Sequence, residues 1–497
     1  MQASLAGFTL VYFALTLTPP PAEHGEEPQV ANAAEAANWK DVERLVSRGV
    51  DVNLAQLDGM TALHWACYHD QPEITQLLLR AKADAGANNR YGVTPLALAC
   101  TNGNAGIVEQ LLTAGSDPNS TLRGGETALM TAARTGKPQV VNLLLQHGAE
   151  VNAREQRGQT SLMCAAAAGH PEVVKLLLAA KADAHKPLKS GFTPFFFAVR
   201  QGHQRVVDVF VAAGVDVRDV MKPEKTSAKS VRNQTSALLL AVENGHFELA
   251  SHLLDLGADP NDQRSGFSAL HALTWVRKPN RGDGADGDPA PVGSGRLNSF
   301  DLVRDLVDHG ADVNLRLQRG RSGRGHLNHR GATPLLLAAK TNDVPYIQLL
   351  LELGANAKLT NHDASTPLMA AAGVGTRAPG EEAGTEDEAV ATVKLLLAKG
   401  ADLNAVDRNG ETAMHGAAYK SLPQVVLLLN QHGARIEVWN QPNKYGWTPH
   451  LIAEGHRPGN FKPSAETLNA IRRVMRERGV TPPKLTPQAD RPGYTPP

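Results

Sequence analysis

A chain of 497 residues has room for two to four ordinary domains, and 42% hydrophobic residues are enough to bury a core. Fifty Lys and Arg balance fifty Asp and Glu, so no global field draws the chain to nucleic acid or an acidic membrane surface, and charged recognition must be local. Three cysteines, Cys67, Cys100 and Cys164, cannot form a disulfide framework and read as small buried hydrophobes.

Residues 3–17 form an almost unbroken apolar run, followed by Pro19, Pro20 and Pro21. The run has the length of a signal-peptide core and is too short to span a bilayer comfortably. No Lys or Arg precedes it and no clear A-x-A site follows it. Residues 1–29 are therefore expected to be a signal-like or disordered leader. The expected location is exported, periplasmic or secreted, with cytoplasmic as the alternative. No other stretch reads as a membrane span.

From residue 30 the chain is periodic. A small hydroxyl residue followed by Ala, Ser or Pro recurs at Thr61, Thr94, Thr127, Thr160 and Thr193, each 33 residues after the last, and returns at Ser236, Ser268, Thr333, Thr366, Thr412 and Thr448 at less even intervals. Residues 125–157 show one whole period. Thr127 is placed to cap a short helix, and in other periods Pro95, Pro194, Pro334, Pro367 or Pro449 fits the first helical position. Ala132 and Ala133 let neighbouring helices approach closely, and Gly136 ends the helix. A second helix carries Val140, Val141, Leu143, Leu144 and Leu145, a stripe suited to burial between neighbours, and ends at Gly148 with a left-handed cap. An extended finger with a tight turn completes the period.

These motifs, with GMTALHWAC at Gly59, GHPEVVKLLL at Gly169, and GADPN, GADVN and GADLN at Gly257, Gly310 and Gly400, resemble the ankyrin repeat. The Ala- and Gly-rich style, with the apolar leader, resembles bacterial exported ankyrin-repeat proteins. Twelve repeats begin at Val30, Gly59, Gly92, Gly125, Gly158, Gly191, Gln234, Gly266, Gly331, Ala364, Gly410 and Gly446. The expected fold is an all-α solenoid over residues 30–480, followed by a proline-rich disordered tail over 481–497. The first and last repeats are caps, the last marked by Arg472, Arg473, Arg476 and Arg478 on its closing helix. Lys82 and Lys181 stand where a C-cap glycine is usual, at a cost of about 1 kcal/mol.

Four Gly-, Pro- or charge-rich insertions break the period, at residues 216–233, 277–296, 315–330 and 374–389. The third, with Arg316, Arg319, Arg321, Arg324 and Arg330, has the guanidinium forks to grip a polyanion, although a solvated loop is the plainer reading. Glu381, Glu382, Glu386, Asp387 and Glu388 form a loop of opposite sign that could pair with it, although here too a solvated loop is the plainer reading. Asp283, Asp286 and Asp288 offer oxygen ligands but depart from a calcium-loop spacing. His64 and Cys67, one turn apart, are the nearest approach to a nucleophile or metal pair, yet His64, His271 and His415 share one slot of the repeat, which ankyrin repeats use structurally.

The resemblance places partner contacts on a palm of finger tips and first helices. Carried over by register, the tips are Met60, Phe192, Phe267 and Trp447, and the helix positions include Tyr68, His69, Arg134, Arg200, Lys340, Tyr419 and Lys420. Aromatic and Arg residues at such sites are usual interface anchors. The implied function is a non-catalytic, monomeric scaffold for a protein partner, without cofactor or metal. Nucleic acid is not an expected partner. The alternatives are a polyanion-binding or envelope component using the basic finger and, less favoured, metal binding or catalysis.

Overall fold

The computed structural model describes residues 27–225, 232–279, 291–320, 326–380, 382–456 and 463–485. Most of the leader and tail, Arg321, Arg324 and the aspartates of the second insertion lie outside these residues. The chain divides after Glu150 into two compact parts. Among the described residues the regular elements are helices, in twelve pairs plus the single turn Ile436–Trp439. No described helix is long and apolar enough to cross a membrane.

The first part holds four pairs: Gln29–Glu35 with Trp39–Ser47, Ala62–Tyr68 with Pro72–Arg80, Pro95–Asn102 with Ala105–Thr113, and Ala128–Thr135 with Pro138–Gln146. Thr127 caps its helix by accepting from the Met130 N–H at 3.2 Å, and Gly136 closes it at φ 71°. Ala132, Ala133, Val140, Val141 and Leu144 are fully buried. Each such Val or Leu contributes about 1.5–3 kcal/mol of burial. First helices stack on first helices and second on second, so each repeat is held by its neighbours.

The second part holds eight pairs, among them Ala237–Glu243 with Phe247–Asp255, Ala269–Arg277 with Ser299–Asp308, Pro334–Thr341 with Val344–Glu352, Pro367–Ala372 with Glu386–Ala398, and Ala413–Lys420 with Pro423–Gln431. The hydroxyl cap recurs at most repeats. At Ser268, however, the hydroxyl turns to His271 Nδ1 at 2.8 Å, and Thr193 makes no side-chain cap. An asparagine ladder joins successive fingers: the Asn152 amide donates to the Lys181 carbonyl at 3.1 Å and accepts from the Asp183 N–H at 2.9 Å, and Asn261 and Asn314 repeat the pattern.

The insertions between helix partners fold back toward the preceding repeats. In repeat eight, the Ser294 N–H donates to His246 Nδ1 at 3.0 Å and the Arg296 N–H to Glu248 Oε2 at 2.9 Å. A Cβ on Gly293 would lie 1.8 Å from the Gly245 carbonyl oxygen, so only glycine permits this approach. In repeat ten the insertion ends at Thr385, earlier than the sequence suggests. Glu386, Asp387 and Glu388 form the first turn of the next helix, where negative charge suits the N-terminus, and Thr385 and Glu388 cap it reciprocally. Among the described residues the charge partners are Lys278 for Glu388 and Lys340 for Glu382, not Arg316, Arg319 or Arg330 of the basic finger; Glu381 lies outside the described residues.

The closing helix Ala465–Glu477 buries Ile471 and Val474 and exposes Arg473 and Arg476, as a solenoid end requires.

Candidate binding surface

In the first part, Tyr68 is 54% exposed and makes edge contacts with the Trp65 and His69 rings, 5.6 and 5.1 Å between centroids. His69 is half-buried between Trp65 and Trp39. Arg134 is exposed and ion-paired with Glu126 at 2.8 Å. Met60 is buried, with its sulfur 3.4 Å from the Asn89 amide. A tip position here therefore packs inward while the helix positions stay open.

In the second part several palm positions are closed. Phe192 is buried beside Phe197, with the half-buried Arg200 guanidinium 5.6 Å from its ring. Lys340 and Lys420 are buried under the insertion of repeat ten: Lys340 Nζ donates to Thr376 Oγ1 at 2.9 Å and to Glu382 Oε2 at 2.8 Å, and Lys420 Nζ to the Ala383 carbonyl at 2.6 Å. Tyr419 is buried too, its hydroxyl donating to Glu411 Oε1 at 2.9 Å and accepting from the Asn443 amide. These three side chains are withdrawn from any contact surface. Trp447 is half-buried against Tyr445, 5.2 Å between centroids.

Charge in this buried network is displaced. Burial pushes the Glu382 carboxyl up, but the Lys340 ammonium and the Arg377 and Ala378 N–H groups outweigh it and hold it below the usual carboxylate range. Burial pulls Lys420 down to about 7, helped by the Lys340 charge. Burial and Asp407 push Glu411 up to about 7.

One part of the palm stays open. A cavity of about 540 Å³ lies between fingers and first helices, lined by Phe267, Trp275, Leu327, Leu337, His329 and Arg232 among others. Phe267 and Trp275 meet edge to face at 4.9 Å, both half-exposed, with the Arg232 guanidinium 5.2 and 5.4 Å from their centroids. The two threonines of the lining satisfy their own hydroxyls on nearby carbonyls, Thr274 on His271 and Thr341 on Ala338. What the cavity offers is ring surface and cations.

A family model described as ankyrin repeats (3 copies) matches residues 31–121, 102–187, 129–221 and 294–377, together more than half of the chain. The chain belongs to the ankyrin-repeat family. Further ankyrin models match residues 233–265 and 385–429. The chain is 31% identical over 245 residues to human ankyrin repeat and SOCS box protein 16, covering 44% of this chain and 46% of that protein. It is 27% identical over 163 residues to the Arabidopsis thaliana E3 ubiquitin-protein ligase KEG, covering 31% of this chain and 9% of that one. The chain thus spans less than half the length of these curated relatives. Among solved structures, the human ASB11 ankyrin repeat domain aligns with a TM-score of 0.40 at 24% identity, over 46% of this chain and 98% of that domain.

Within the ankyrin register, Trp275 stands seven residues after Ser268 at the N-cap position, the slot that holds Tyr68, Arg134, Arg200, Lys340 and Tyr419. Register alone was enough to find it, and the sequence reading passed over it. The ankyrin histidines are structural. His64 Nδ1 lies 2.8 Å from the Thr61 hydroxyl and Nε2 3.0 Å from the Val93 carbonyl of the next finger, and His271 and His415 repeat this on Ala332 and Gln441. Burial pushes the Cys67 and Cys100 thiols up to about 12, far from a thiolate.

The three described arginines of the basic finger have different surroundings. Arg316 donates to the Gly331 carbonyl at 3.2 Å and to that of Thr360. Arg319 lines a different cavity, of about 920 Å³, where Asp259 and Asp262 offset Arg218 and Arg264. Arg330 is exposed.

Proposed function

We propose that this chain is a non-catalytic protein-interaction scaffold that binds a partner on the palm of its second part, at the cavity of Phe267 and Trp275. The observation that carries the reading is the pair of half-exposed rings beneath Arg232, in a palm whose neighbouring slots are closed. Aromatic and Arg residues at a concave site are the side chains that supply most interface energy. Against chemistry stand the hydrogen bonds that occupy both nitrogens of His64, His271 and His415, and the thiols held protonated by burial.

A photoreactive amino acid replacing Trp275 tests the reading. The expected result is a discrete cross-linked protein whose binding to the otherwise natural chain is lost in Phe267→Ala while helicity is retained. Capture insensitive to Phe267→Ala would remove this site from the palm. An exported location is a separate proposal resting on the apolar run at residues 3–17. Cell fractionation checks it, and a full-length chain found with cytoplasmic markers contradicts it.

A further inference from the structure

The chemistry of the cavity narrows what can occupy it. Its apolar surface comes from Phe267, Trp275, Leu327 and Leu337, and its volume of about 540 Å³ exceeds what one aromatic side chain fills. A partner must therefore bring a large apolar side chain together with neighbouring groups.

Those neighbours meet an excess of positive charge. Arg232 is paired with Glu243, and Lys340 at the cavity floor with Glu382. Beyond these two pairs stand Arg377 and the imidazoles of His326 and His329, all three exposed. The Arg377 guanidinium donates to His326 Nε2 at 2.8 Å, which brings its charge to the mouth of the cavity. Since arginine cannot accept, that nitrogen of His326 is the acceptor and a cation sits on it. His329 lies 6.5 Å from Phe267, ring to ring, so the imidazole and the apolar surface share one wall. Among the described residues, three fixed cations face two carboxylates, both already engaged; the two imidazoles add ring N–H groups, His329 being pulled below its ordinary value by burial and by the charges of His326 and Lys340.

From this we infer that the cavity takes an acidic peptide segment of a partner protein, seating one aromatic or large aliphatic side chain against Phe267 and Trp275 with flanking carboxylates toward Arg377 and the two imidazoles. The inference rests on the palm reading above and adds the partner's chemistry to it. A basic segment would bring like charge to Arg232 and Arg377, which disfavours it. The apolar anchor sets residence, while the exposed cations set encounter rate and salt dependence.

The test uses short labelled peptides titrated onto the full chain by fluorescence anisotropy. One carries a central phenylalanine between glutamates, a second lysines in place of the glutamates, a third alanine in place of the phenylalanine. The expected order is tight binding of the first and roughly tenfold or greater weakening for each of the others. Trp275→Ala should weaken the first peptide by a similar factor and Trp275→Phe should largely restore it, which separates lost contact from lost folding. Arg377→Ala, whose backbone N–H to Glu382 is untouched, should raise Kd several-fold at low salt and little at high salt. Equal binding of the acidic and basic peptides, or indifference to Trp275→Ala, overturns the inference. If the photoreactive residue at 275 captures a partner through a neutral or basic segment, the peptide chemistry is wrong and the scaffold reading stands. If neither capture nor peptide binding occurs, both fall.

Discussion

The first part of the molecule and repeats eight to eleven of the second are built on one register and present it differently. In the first part the helix slots of the palm hold an exposed Tyr68 and an exposed Arg134. In repeats nine and eleven the same slots hold Lys340 and Tyr419, both buried, because the insertion of repeat ten covers the first and the finger that ends repeat eleven covers the second. Between these extremes Trp275 is half-exposed in an open cavity. Equivalent positions thus become core, open surface or cavity wall according to what covers them.

The sharpest way to break this comparison is to remove one carboxylate from each region. Glu382→Ala leaves the Lys340 ammonium buried without its partner and should cost about 3–5 kcal/mol. Glu126→Ala removes a half-exposed pair with Arg134 and the acceptor of the Thr131 hydroxyl and should cost about 1–2 kcal/mol. Repeat arrays do not always unfold in one step, so hydrogen exchange of residues 373–385 is the proper readout for the first change. Equal small effects would mean that the insertion does not depend on the buried pair.

A second test uses pH at repeat eleven. Glu411 has a folded pKa raised to about 7, so its contribution is fully present below the unfolded value of 4.5 and is lost as pH rises through about 7. His415 is lowered to about 4 by burial, so its contribution is present above 6.5 and lost as pH falls through about 4. The two slopes oppose each other between pH 4.5 and 6.5. Glu411→Gln should remove the loss near neutrality, on the order of 2–3 kcal/mol, and expose the acid-side loss of His415 in hydrogen exchange of residues 413–420. An unchanged profile would show that the Glu411 carboxyl is not held protonated.

Such effects were beyond the sequence for a definable reason. The period, the caps and the twelve helix pairs follow from local chemistry repeated in register, such as Thr127 before Ala128 and Gly148 after the second helix. Burial at Lys340 and Lys420 follows from where residues 373–380 and 382–385 lie, a tertiary fact that no local pattern carries. Phe267 was legible as a tip aromatic. Trp275 was equally legible by its slot and overlooked, because its repeat is interrupted just two residues later, at Arg277.

The smallest expected effect concerns the junctions. Lys82 and Lys181 hold positive φ, 65° and 69°, where other repeats place glycine. Lys82→Gly in the first part and Lys181→Gly in the second should each stabilise by roughly 0.5–1 kcal/mol in chemical denaturation. Destabilisation would mean that the lysine side chains contribute more than the backbone strain costs.

Hydroxyl-radical footprinting of the chain with its captured partner tests most directly whether the open slot is the contact surface. The account predicts protection of Phe267 and Trp275 on binding, with the already buried Tyr419 unchanged. Protection confined to Tyr68 and Trp447, with Phe267 and Trp275 as reactive as in the partner-less chain, would contradict it.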